Sequence, residues 1–184
     1  MRAVQAKAFG GYRSGGMGTL LVQLARQAGC RVIAAAGGER KLELAHKLGA
    51  EQAVDYTRDD WTGQVLAITG GPRVVFDGVG GKTGRAAFEV TARGGRFSGH
   101  GTPGGGFAVV DSGEAAQRDI TVSGIEQVQF GPEKSRRLIA QALSEAAAGR
   151  IEPVIGQRFP LEQAATEHRA IEARAVTGKT LLEV

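Results

Sequence analysis

The 184-residue chain has one cysteine, Cys30. One thiol excludes an intrachain disulfide and any cysteine-based zinc cluster, and it fits a reducing cytoplasm. Histidine is nearly as scarce. His46, His100 and His168 lie far apart, and no Cys/His/Asp set has metal-ligand spacing, so no metal is expected. Aromatics are few: seven Phe, two Tyr and one Trp. None interleaves with a basic run as a base-stacking surface requires. The net charge of +4 permits an anionic partner, but basic and acidic residues alternate, as in GERKLELAHK and RAIEARAVTGK, which is the pattern of solvated helix faces. Nucleic acid is therefore not an expected partner. No stretch approaches the roughly 18 apolar residues of a membrane span, and the start, MRAVQAKAFGG, has no apolar core of a secretory signal.

Glycine, by contrast, is abundant: 29 residues, against an average of roughly 7%. The glycines gather in pairs after apolar runs and do not repeat, which excludes collagen and low complexity. The length suits one domain. Along it, short apolar runs alternate with amphipathic stretches. Strands are expected at Arg31–Ala36, Ala53–Tyr56, Arg73–Asp77, Gly95–Gly99, Ile120–Gly124, Pro153–Phe159 and Lys179–Val184. Helices are expected at Thr19–Ala28, Glu39–Leu48, Asp59–Thr69, Thr83–Ala92, Pro132–Ala148 and Leu161–Ala173. In the first helix Leu20, Leu21, Leu24 and Ala28 share a face; in the second, Leu42, Ala45 and Leu48 point inward. Such alternation implies an α/β fold, a Rossmann-like, doubly wound and mostly parallel sheet with helices on both faces. The Gly-rich loop His100–Gly106 reads as the most mobile segment.

Four motifs could carry chemistry. Ser14-Gly15-Gly16-Met17-Gly18 directly precedes the first helix, where a glycine turn lets backbone N–H groups approach a pyrophosphate and the helix dipole favours the anion. The following strand ends at Gly37-Gly38-Glu39-Arg40-Lys41. A protein that binds NAD usually has Asp or Glu at this strand end for the ribose hydroxyls. Gly37 removes that acid, and Arg40 and Lys41 supply attraction to a 2′-phosphate, so NADP(H) is expected over NAD(H). Val75-Phe76-Asp77-Gly78-Val79-Gly80-Gly81 and Phe97-Ser98-Gly99-His100-Gly101 are strand ends where backbone can press against a ring and its ribose. His100 is a candidate acid or base, though a lone histidine in a glycine loop is more often inert. Neither tyrosine has lysine four residues on, so the Tyr-x-x-x-Lys acid of short-chain reductases is absent. Gly178-Lys179-Thr180 only superficially resembles a phosphate loop: it lacks the earlier glycine and introduces a strand. Cys30 reads as a small core residue.

Taken in order, GGMGTLLVQLARQAG, RVIAAAGGERKLELAHKLGAEQAVDYTRDDW, VVFDGVGG, GGRFSGHGTPGG and the tail from GRIEPVIG to GKTLLEV resemble one family. It is the zinc-independent quinone oxidoreductase (zeta-crystallin-like) branch of the medium-chain dehydrogenase/reductases, and the resemblance runs from Gly15 to Val184. It implies hydride transfer from NADPH to a quinone or activated alkene, with the cofactor rather than a protein acid supplying the chemistry. It implies that Gly15, Gly16, Met17 and Gly18 lie over the pyrophosphate. Gly37, Lys41 and Tyr56 would hold the adenosine ribose and its phosphate. Gly78, Val79 and Gly99 would line the nicotinamide side, and Arg174 and Lys179 would belong to a basic tail near the cofactor. It further implies a homo-oligomer joined through this domain.

The chain also departs from that pattern. Family members open like Met1–Gly11 and reach the glycine turn only after a substrate domain of over a hundred residues. Here Gly11 runs almost directly into Tyr12-Arg13-Ser14-Gly15. Residues 1–184 are thus expected to form a single NADP(H)-binding domain, with 1–11 a remnant of the missing domain's first strand and 174–184 a closing strand. The family's central strand is missing with that domain. Met1–Phe9 could take the central slot, although Arg2, Gln5 and Lys7 suit a buried strand poorly. It could instead pair with Lys179–Val184, leaving the slot vacant or rearranged, or chains could exchange strands. The first is favoured, because a gap would strand unpaired backbone groups. Two functions stay open: an NADPH-dependent quinone reductase, and a cofactor-binding or oligomer-forming remnant without turnover. A methyltransferase is disfavoured by Gly37, where that fold also wants an acid.

Overall fold

The computed structural model describes residues 7–11, 16–173 and 176–184. Six parallel strands form one sheet: β1 (Lys7–Gly11), β2 (Arg31–Ala36), β3 (Gln52–Asp55), β4 (Val74–Asp77), β5 (Arg96–Gly99) and β6 (Thr121–Ser123), in the order β3-β2-β1-β4-β5-β6. This is the doubly wound arrangement expected from the alternation of elements. β1 fills the central slot. Phe9 stands opposite Ile33 of β2 and Val75 of β4, so the backbone of both neighbours is paired. Pairing of the first residues with Lys179–Val184 is not what the described part of that segment does.

β2 shows why the sheet is covered on both sides. Alternate side chains leave opposite faces of a strand. Val32, Ala34 and Ala36 join Val22, Ala45 and Ala50 in one core, against which Leu42, Leu48 and Cys30 pack. Ile33 and Ala35 join Val54, Trp61, Val65, Val75, Phe88 and Phe97 in the other. Helices α1 (Gly16–Gln27) and α2 (Glu39–Lys47) cover the first face; α3 (Trp61–Thr69), α4 (Gly81–Glu89) and the short α5 (Ser112–Gln117) cover the second. The expected inward face of α2 is the observed one. That of α1 is not. Thr19 and Val22 are buried, Leu20 and Leu21 are half-buried, and Leu24 and Ala28 are exposed. The alanine-rich face of β2 lets α1 sit close, and the small-to-medium side chains at three-residue spacing fit that contact better than the leucines.

Helix α5 was not expected from the sequence. Asp111 caps it, its carboxylate accepting from the Glu114 amide at 2.7 Å. Beyond β6 come α6 (Pro132–Ala147), β7 (Ile155–Pro160), α7 (Ala164–Glu172) and β8 (Lys179–Glu183). β7 and β8 pair in parallel as a separate two-stranded sheet. No described helix is long and apolar enough to cross a membrane.

Candidate functional site

In an open parallel sheet, ligands bind beyond the carboxyl ends of the strands, where the strand order reverses. Here the reversal lies between β1 and β4. The segments leaving these two strands are the glycine turn and Gly78–Gly81. Gly15 lies outside the described residues. Gly16, Met17 and Gly18 form the first turn of α1, with Met17 55% exposed. Thr19 Oγ1 donates to the Gly16 carbonyl at 3.0 Å and steadies this turn. Lys179, the first residue of β8, lays its side chain across Gly16. Its Cγ, Cε and Nζ occupy the space where a Cβ on Gly16 would stand. The lysine therefore adds its charge to the positive end of α1, and only glycine admits it there. Arg174 lies outside the described residues.

At the end of β2, Gly37 meets the turn after β3. The Thr57 methyl lies 3.1 Å, and the Tyr56 ring 3.4 Å, from where a Cβ on Gly37 would be. Gly38 precedes α2 with its carbonyl accepting from the Lys41 amide at 3.0 Å. Gly37, Gly38, Lys41 and Tyr56 thus come together. Arg40 is exposed on the neighbouring side of α2, where it lines a groove with Glu43, Lys47 and Ile155. Asp55 escaped the sequence reading. Slight burial pushes its carboxyl up, but hydrogen bonds from the Thr57 hydroxyl (2.7 Å) and amide (2.9 Å), with one from the Gly38 backbone and the charge of Arg58, hold it below the usual range. It ties the β3 turn to the β2 turn. The signal was an acid at a strand end, one strand further out than the motif directs attention.

The strand ends of β4 and β5 form a second knot. Asp77 is 1% exposed, and its Oδ1 accepts from the Val79 amide at 2.9 Å and the Gly80 amide at 3.0 Å. Its carbonyl accepts from the amides of His100 (2.9 Å) and Gly101 (3.1 Å). Gly104 N–H donates to the Val79 carbonyl at 2.7 Å, and Gly81 N–H to that of Gly106 at 2.9 Å. The loop His100–Gly106, expected to be mobile, is therefore stitched to residues 77–81. Its glycines serve close backbone approach. Gly80, at φ 74°, has no room for a Cβ, which would strike the carbonyl oxygens of Gly101 and Gly106. Gly78, Val79 and Gly99 are gathered by this knot.

His100 sits half-buried beside Phe76, with ring centroids 6.5 Å apart. Burial pulls its imidazole below the usual value, against the opposing pull of the Asp77 charge and a hydrogen bond to the Ser98 backbone. Next to Gly99 opens an apolar hollow of about 320 Å³, lined by Phe97, Phe107, Val110, Val122 and Ile125. Among the described residues, no three His, Cys, Asp or Glu side chains are placed to hold a metal ion. Cys30, the one thiolate donor, lies at the start of β2, away from these strand ends. Among the described residues, the donors present do not form a zinc site.

Residues 16–144 match the zinc-binding dehydrogenase family. A quinone oxidoreductase of Pseudomonas aeruginosa is 29% identical over 174 residues, covering 92% of this chain and 54% of that protein. Among solved structures, Escherichia coli quinone oxidoreductase complexed with NADPH superposes with a TM-score of 0.86 at 26% identity, covering 97% of this chain and 57% of that one. An NAD-dependent alcohol dehydrogenase superposes with a TM-score of 0.85 at 33% identity, covering 97% and 51%. The chain spans about half the length of the curated relatives it matches. With its strand order, its glycine turn and this match over residues 16–144, the chain belongs to the zinc-binding dehydrogenase family, in its quinone-oxidoreductase-like, medium-chain branch.

Proposed function

We propose that the chain binds NADP(H) across the carboxyl edge of the sheet and reduces a quinone or activated alkene without zinc. The observation that carries this reading is the crossing of Lys179 over Gly16 at the positive end of α1, which builds a two-sided cradle for a pyrophosphate. Lys41 and Tyr56 beside Gly37 and Gly38 suit a 2′-phosphate: Gly37 puts no acid at the end of β2, and the neighbouring Asp55 carboxylate is engaged by Thr57 and the Gly38 backbone. The knot of Asp77, Gly78, Val79 and Gly99 presents backbone to the nicotinamide, and the apolar hollow beside Gly99 suits a planar acceptor. When bound, the cofactor supplies the hydride; the protein's part is to hold and orient it and to exclude water. Residues 1–184 act as one unit, placed in the cytoplasm and joined as a homo-oligomer.

The test is titration of the protein with NADPH and NADH, followed by cofactor fluorescence, then NADPH oxidation with menadione. Binding of NADPH at least tenfold tighter than NADH is expected, followed by turnover. Failure of both cofactors to bind would overturn the reading. Binding without turnover would favour the second reading, a cofactor-binding or oligomer-forming element. The observation favouring that alternative is the outward apolar face of α6, with Ile139 59% and Leu143 66% exposed.

A further inference from the structure

Lys179 reaches the glycine turn from a part of the chain that shares no sheet with it. Something must hold β7 and β8 against α1, and α6 does little of this: none of its residues is buried. Beside the groove that α2 shares with Val154 and Ile155, two side-chain amides of α1 contribute to the junction. The Gln23 side chain, in the middle of α1, pairs with the Glu152 backbone in both directions. Its Oε1 accepts from the Glu152 N–H at 2.8 Å, and its Nε2 donates to the Glu152 carbonyl at 2.9 Å. The second Nε2 proton reaches the Thr19 carbonyl, 3.0 Å away. One turn on, Gln27 Nε2 donates to the Arg150 carbonyl. Thr19, Gln23 and Gln27 recur at four-residue spacing, so they share one stripe of the helix. Residues 150–152 run along that stripe, with Ile151 buried between the two contacts.

From Glu152 the path to the site is short. Two residues on, the Val154 carbonyl accepts the Lys179 amide at 2.7 Å. Gly178, at φ 82°, lies so close to that carbonyl that a side chain there would strike it. The lysine backbone is thus held where the Gln23 pairing puts residue 152, and its side chain ends on Gly16.

We propose that Gln23 is a positioning residue: by pairing with the Glu152 backbone it sets Lys179 over the glycine turn, so that attachment of β7 and β8 and occupancy of the anion cradle are coupled. The binding half of this inference rests on the nucleotide reading above; the placement half does not.

The experiment uses the full chain with Gln23→Leu, which keeps the bulk and the helix preference of the side chain, together with Lys179→Gln and the double variant. Gln23→Glu, which retains the acceptor but not the donors, is the second variant should the leucine prevent folding. Without nucleotide, hydrogen exchange at the Lys179 amide, read by NMR, is expected to quicken about tenfold in Gln23→Leu. Amides of β2 should keep their rates. With NADPH, each single variant is expected to weaken binding about tenfold, the loss of one charge-assisted contact. The double variant should bind no more weakly than either single one. Additive losses would show that Gln23 acts through the Thr19 carbonyl and not through Lys179, overturning the inference. Unchanged Lys179 exchange in Gln23→Leu would overturn it whatever the nucleotide does. A wild-type chain that binds neither NADPH nor NADH would overturn the nucleotide reading and with it the coupling, while the exchange rates still decide whether Gln23 places Lys179.

Discussion

Two residues hold the most direct tests of the site. Lys41 lies in the first turn of α2, its amide donating to the Gly38 carbonyl, and in the proposed reading its charge faces the 2′-phosphate. Lys41→Glu is expected to weaken NADPH by roughly tenfold to a hundredfold, the range for a hydrogen bond to a charged group, and to leave NADH within about threefold. Parallel titrations check this; equal losses would remove Lys41 from the phosphate site. His100 makes a pH prediction. Burial lowers its folded pKa below the value of an unfolded histidine, so the unfolded chain takes up the proton first. Stability is therefore full above about pH 6.5 and falls as pH drops below it. Urea unfolding at pH 7.5 and 5.5 should show that loss, and His100→Gln should reduce it. The position of Lys41 was readable from the sequence, since it needs only the strand end and the helix start. The half-burial of His100 was not, because the loop covering it takes its place from contacts with another strand end.

At the scale of elements, the decisive feature is the stitched pair of loops after β4 and β5. Gly80→Ala would place a Cβ against two carbonyl oxygens at a positive φ. A loss of about 2–4 kcal/mol in urea unfolding is expected. Gly63 is the control. It lies inside α3 with nothing near a Cβ, so Gly63→Ala should stabilise by about 0.5–1 kcal/mol. Glycine count alone pointed toward mobility at residues 100–106. The same residues are instead the ones that let two backbones touch, a distinction that composition cannot make. Element boundaries fared better. Arg31–Ala36 is the strand expected, and Pro132–Ala147 ends one residue short of the helix expected, because both are set by local periodicity and by glycine and proline stops.

At the scale of the whole molecule, the uncovered surfaces stand out. Ile139 and Leu143 are 59% and 66% exposed, so the double change to glutamate is expected to alter stability by less than about 0.5 kcal/mol. Light scattering of the same variant reads the homo-oligomer proposal: a larger loss of stability together with a drop in mass would show that a second copy covers this face.

What the sequence determined alone is what short-range patterning can carry: alternating strands and helices, a parallel sheet with two covered faces, and glycine turns at the strand ends. It also pointed Met1–Phe9 to the central slot, since an unpaired gap in a sheet is costly whatever the neighbours; the strand seated there is Lys7–Gly11, and Met1–Ala6 lie outside the described residues. Tertiary structure decided the rest. The side of α1 that meets the sheet depends on how closely the alanines of β2 admit it. The tethering of residues 100–106 depends on the carbonyls of a different strand. The seat of Lys179 on Gly16 depends on a pairing between Gln23 and Glu152, 129 positions apart. Local periodicity holds no record of such distant partners; they are chosen when the chain closes and brings polar groups of distant segments within reach of one another.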